Sequence, residues 1–133
     1  MIPGSSILRP APGRAVKRPE IKTMNTEERI KTLYKIGSKL GYVELYTALA
    51  EEASELTKAS LKVLRASGAV KNPTPISYDK AYDNLMEEVA DVFVCLLAVG
   101  ILDADKIEGT DFSDIVDEKI QRWANRVLEA SNE

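Results

Sequence analysis

The chain has 133 residues, 44% apolar and 29% charged, with a net charge of −3, a size suited to one domain around a single core. It has no histidine and one cysteine, Cys95, which excludes His-dependent triads, the Glu-x-x-His sites of di-iron bundles and any intramolecular disulfide. Residues 1–24 carry Arg9, Arg14, Lys17, Arg18 and Lys22 against Glu20, so the rest holds −7 of the total of −3; such an acidic body argues against nucleic-acid binding and suits a protein that gathers cations.

Residues 1–24, with four prolines and two glycines, read as a flexible basic arm ahead of a domain at 25–133. No run is apolar and long enough for a signal peptide or a bilayer span. A lone cysteine points to a reducing compartment, and a cytoplasmic location is expected; within VFVCLLAV, Cys95 reads as a small core residue. Asn25 and Glu28 form a capping pair that opens a helix with Ile30, Leu33, Tyr34 and Ile36, ended by Gly41. A second helix runs from about Val43 to Ala66, with Lys62 and Arg65 in its last turn and Gly68 as terminator. The prolines of AVKNPTPIS mark a loop. Ser77 is placed to cap a third helix reaching about Ile101. Asp111 or Ser113 is placed to cap a fourth, running to about Ala130 with Ile115, Ile120, Trp123, Val127 and Leu128 on its buried side. No segment alternates as a half-buried strand does, so the expected class is all-α, a four-helix bundle or a piece of a larger one.

Two stretches, LAEEASEL and LMEEVADV, place acids inside these helices. The apolar seam of the second helix is Leu45, Leu49, Glu52, Leu56, Ala59 and Val63, spaced 4-3-4-3-4. The third helix repeats the spacing with Ala81, Leu85, Glu88, Val92, Cys95 and Val99, and again the third member is a glutamate. Three residues after each comes another acid, Glu55 and Asp91, on nearly the same face. Glu52 lies roughly 20 Å before the end of its helix and Glu88 roughly 17 Å after the start of its own, at about 1.5 Å per residue. An antiparallel hairpin therefore sets all four at one height. Carboxylates buried together are costly unless they take up protons or a cation. Mg²⁺ prefers oxygen ligands, whereas zinc or copper would recruit histidine or cysteine. The competing reading is a solvated acidic face with surface pairs such as Glu55–Lys58.

The motif Glu51-Glu52-x-x-Glu55 followed by Glu88-x-x-Asp91 resembles the metal signature of the MazG-like all-α nucleoside triphosphate pyrophosphohydrolases. KLGYVELYTALAEEASEL, NPTP and NLMEEVADVFVCL are similar to small bacterial and phage members, and the likeness covers roughly residues 25 to 130. The resemblance implies a four-helix-bundle-like MazG-type fold completed as a homodimer or homotetramer. It implies Mg²⁺-dependent hydrolysis of a (deoxy)nucleoside triphosphate to monophosphate and pyrophosphate, with Mn²⁺ as a substitute and nucleotide-pool housekeeping as the role. Glu52, Glu55, Glu88 and Asp91 match the metal ligands, and Glu51 matches the acid that orients or deprotonates the attacking water. Lys119, Arg122 and Arg126 share one face at i, i+3 and i+7; basic residues on that helix serve phosphates in the family, and a solvated face pairing with Glu118 or Glu129 is the alternative. Tyr34, Tyr42 and Tyr46 either stack on a base or pack between helices. The rivals are a non-catalytic, metal-stabilised helical assembly and, among enzymes, a phosphoribosyl-ATP pyrophosphohydrolase, which shares the scaffold. Neither nucleic acid nor membrane is an expected partner.

Overall fold

The computed structural model describes residues 23–71, 75–102 and 111–129, and these are helical with no strand among them. The basic arm falls almost wholly outside these ranges. Helix α1 spans Thr26–Ala66, α2 spans Tyr78–Ala98, and α3 spans Asp111–Ala124 and continues as a π-helical turn over Asn125–Glu129. Local chemistry sets most of the ends. Asn25 and Glu28 form the expected capping box: the Glu28 N–H donates to Asn25 Oδ1 at 2.9 Å and the Asn25 N–H donates to Glu28 Oε2 at 3.1 Å. The Lys80 N–H donates to Ser77 Oγ at 3.2 Å, so Ser77 caps α2. Asp111 and Ser113 both lie inside α3, so neither is the residue before it.

The two helices expected on either side of Gly41 are joined end to end as α1, with Gly41 at φ 79° and ψ 168° forming a kink. Only glycine adopts that conformation without strain. At the far end Gly68, also at φ 79°, stops α1. Helix α2 ends three residues sooner than Ile101. Gly100 takes a positive φ, its N–H donates to the Leu97 carbonyl, and the Ile101 N–H reaches back to Leu96 at 3.1 Å. This is a Schellman turn, which satisfies the last carbonyls and reverses the chain.

The post-kink part of α1 pairs with α2, and every seam position foreseen from the spacing is buried or half-buried. The tightest point is small: Ala59, Val63 and Ala81 are the buried apolar residues, and Ala81 has no exposed surface. Among the described residues no large side chain is fully buried. Helix α3 touches neither α1 nor α2. The buried side expected for it is therefore in solvent: Trp123 is 66% exposed, and Ile115, Ile120, Val127 and Leu128 are also exposed. A stripe at helical spacing says that a helix wants cover, and nothing among the described residues supplies it. Among the described residues, no helix is long and apolar enough to cross a membrane.

Two glycines of α1 separate conformation from space. A Cβ at Gly37 would sit 3.5 Å from the Ala98 carbonyl oxygen and 3.8 Å from Leu45 Cδ1, ordinary contact distances. Gly37→Ala should thus be neutral or stabilise by up to about 1 kcal/mol through helix propensity. Gly41→Ala must hold a positive φ and should cost about 1–3 kcal/mol. Thermal denaturation of the two variants is expected to rank them in that order.

Candidate metal centre

The hairpin brings acids from two helices together. Glu52 comes from α1, and Glu88 and Asp91 from α2. One carboxylate oxygen of each lies within 4.8 Å of those of the other two. Glu52 and Glu88 are half-buried in the seam and Asp91 is exposed beside it. The cause lies in the spacing: Glu88 and Asp91 are three apart on one helix, and the antiparallel pairing sets Glu52 opposite them.

The electrostatics show the strain of this arrangement. Burial raises the carboxyl of Glu88 above its ordinary value, and the negative charges of Asp91, Glu52, Glu55 and Glu87 raise it further. Among the described residues, no ion pair neutralises Glu52, Glu88 or Asp91. Three hard oxygen donors at this separation suit a divalent cation, whose ligands at about 2.1–2.5 Å put opposite donors about 4.2–5 Å apart. Glu52, Glu88 and Asp91 would hold such an ion.

Glu55, the fourth expected ligand, is turned outward. Lys58 Nζ donates to its Oε1 at 3.0 Å, the surface contact that was the rival reading. The pair is more than half exposed on both sides, and such pairs are worth only about 0–1 kcal/mol, so Lys58 does not lock Glu55 away. Its charge still reaches Glu88. Glu51 and Glu87 are exposed and stand outside the three-carboxylate set. One turn beyond Asp91, the Cys95 thiol is pushed up by burial and by the charges of Glu52 and Asp91. It is held protonated, which suits a core residue and not a nucleophile.

Lys119, Arg122 and Arg126 are exposed, and α3 does not carry them to the carboxylates. Arg122 Nη1 lies 3.7 Å from Glu118 Oε1, the long surface pair allowed for beforehand. The tyrosines take part in a feature that sequence reasoning missed. Tyr34, Tyr42 and Tyr46 line an open groove of about 560 Å³ at the Gly41 kink, whose other wall is the last residues of α2, Leu97 and Ala98, with Val99, Gly100 and Leu102 of the turn that follows. Tyr46 lies six residues before Glu52, about 9 Å along the helix. The signal was the glycine break between tyrosines, but its meaning depended on where α2 ends.

In comparisons with known proteins, no family model matches the chain, no curated protein matches it and no solved structure matches it. The functional reading therefore stands on these side chains.

The raised Glu88 carboxyl has a pH consequence. The folded state holds this proton more tightly than the unfolded chain does, so the cation-free fold is more stable below the shifted value and loses stability as pH rises through it. In EDTA, the melting temperature should fall between mildly acidic and neutral pH. Glu88→Gln should flatten that slope, and millimolar Mg²⁺ should restore stability at neutral pH in the wild type alone.

Proposed function

We propose that this chain is a Mg²⁺-dependent nucleoside triphosphate pyrophosphohydrolase of the MazG-like all-α kind. The observation that carries this is the convergence of Glu52, Glu88 and Asp91 across one helix seam, with Glu55 one exposed rotamer away. A bound Mg²⁺ there would neutralise phosphate oxygens and lower the pKa of a coordinated water. The chain's own residues do the rest. Glu52, Glu88 and Asp91 would hold the ion, and Glu55, now paired with Lys58, is the further carboxylate that could add to them. Glu51 takes the proton of the attacking water as general base. In the reaction the water oxygen bonds to the α-phosphorus, the bond from that phosphorus to the α–β bridging oxygen breaks, and pyrophosphate leaves. Lys119, Arg122 and Arg126 are the basic groups for the phosphates in the assembled protein, since within one chain α3 does not reach the carboxylates, and the tyrosine groove is open to the base.

The working form is a homodimer or homotetramer. Ile120, Trp123 and Leu128 are each more than half exposed, and apolar patches of this kind mark association surfaces. The same observation favours one second reading, a non-catalytic helical assembly in which the ion is structural.

The two readings separate on a substrate panel. Incubation with each NTP and dNTP plus Mg²⁺ is expected to release pyrophosphate from at least one of them. Glu52→Gln and Glu88→Gln should each lower turnover by about 10–100-fold or more, and Glu51→Gln should do so by about 10²–10⁴-fold while Mg²⁺ still raises the melting temperature. Full turnover in Glu52→Gln or Glu88→Gln would refute the ligand assignment. Metal-dependent stabilisation with no product from any substrate would establish the structural role instead.

A further inference from the structure

Beside the seam of the α1–α2 hairpin, charge is confined to one flank. At about 100° per residue, Glu55, Lys62 and Lys58 lie about 60°, 80° and 120° backwards from Glu52 on α1. Asn84 and Asp91 lie about 40° and 60° backwards from Glu88 on α2 by the same rotation. Two helices packed antiparallel turn their backward sides to the same flank, so these five residues share it. The forward flank, with Leu56, Ser60 and Leu64 after the kink of α1 and Tyr82, Leu85 and Val89 on α2, carries no charge among the described residues.

Along the charged flank the sign changes. Glu51, Glu55, Glu87 and Asp91 gather at the height of the cluster. Toward the end of α1 come Lys58 and then Lys62, about 9 Å and about 15 Å past Glu52 at about 1.5 Å per residue. Helical side chains lean toward the N-terminus, so both lysines lean back toward the carboxylates. Lys58 shows it, with Nζ 3.0 Å from Glu55 Oε1. Lys62 is half-buried whereas the other described lysines are exposed, and among the described residues no acid pairs with it. Partial burial of an ammonium group without a counter-ion is costly, and an anion at that height would relieve it. Lys80 of α2 shares the flank, but the lean of its own helix carries it away from the cluster.

The acids of this flank repel a bare anion, and its lysines leave a bare cation only half matched. A ligand carrying both signs, a phosphate chain with a divalent cation on it, matches both. We propose that Lys58 and Lys62 bind the pyrophosphate end of a metal-bound phosphate chain whose cation sits on Glu52, Glu88 and Asp91. The cation draws Glu55 and frees Lys58 Nζ for phosphate oxygens. Lys62 stands one turn further on, and Asn84 is on the same flank of α2 with an amide to donate. The choice of pyrophosphate rests on the functional reading above, whereas the charge order of the flank does not.

Two titrations without turnover test this site. Electron paramagnetic resonance of Mn²⁺ reads the cation alone, and calorimetry reads inorganic pyrophosphate added with saturating Mg²⁺. Lys58→Gln removes the competitor for Glu55, so Mn²⁺ alone should bind up to about fivefold more tightly. Magnesium pyrophosphate should bind the same variant about tenfold or more weakly. Lys62→Gln should weaken magnesium pyrophosphate to a similar degree without weakening Mn²⁺. These opposite shifts mark the site, because a helix that merely lost a stabilising charge would weaken both ligands together. Wild-type affinity for magnesium pyrophosphate in both variants overturns the proposal. So does a parallel loss of both ligands, and so does a wild-type protein that binds no pyrophosphate. The reaction is judged separately on the triphosphate panel. Pyrophosphate binding that is lost in the variants, with no turnover of any triphosphate by the wild type, upholds the site and removes the reaction. Turnover at an unchanged KM in Lys58→Gln and Lys62→Gln upholds the reaction and removes the site.

Discussion

Two glutamates in the α1–α2 seam and an aspartate exposed beside it bring three carboxylates together. The seam is narrow because Ala59, Val63 and Ala81 let α1 and α2 approach closely. That closeness sets carboxylate oxygens of Glu52, Glu88 and Asp91 within 4.8 Å of one another. Packing that stabilises the hairpin is thus what compresses the acids. A proton on Glu88 or a cation among all three would relieve the repulsion, and at neutral pH a cation would do so without giving up the ligands. The carboxylates sit on the same two helices as the buried core, so a cation bound there would also stabilise the hairpin.

The other described residues are poor in buried surface. Among the described residues full burial is confined to Ala59, Val63, Ala81 and an aspartate, Asp83, while Tyr34, Tyr42, Tyr46, Met86, Phe93 and Trp123 face solvent. Domains of this size ordinarily bury most of the surface that their unfolded chain exposes. The proposed assembly would offer further burial, and it would be the means of bringing the basic residues of α3 to the carboxylates, which α3 of the same chain does not reach among the described residues. Catalysis by such a site would depend on concentration and association as well as on metal.

How far the sequence revealed this structure depended on the range of the interaction concerned. The Asn25–Glu28 box, the Ser77 cap and the glycine stops at 68 and 100 are local, and the first three were read correctly. The seams were legible because one period served both helices, and Glu52 and Glu88 came out at equal heights as the spacing required. Glu55 was legible only as a candidate, because a rotamer toward Lys58 competes with one toward the cluster and spacing cannot weigh the two. The placement of α3 could not be read. Its stripe shows an apolar side, but what covers it depends on contacts outside the helix. The groove at Gly41 was hidden for the same reason, since its second wall is the distant end of α2.

Electron paramagnetic resonance of Mn²⁺ titrated into metal-free protein tests the central claim most directly, because it reports occupancy of the carboxylate cluster independently of substrate, product or fold. Saturable loss of the free-ion signal in the wild type, strongly weakened in Glu52→Gln and in Glu88→Gln, is the predicted result. Equal binding by all three proteins would contradict the account, because the ion would then lie elsewhere and the acids in the seam would have no cation to hold.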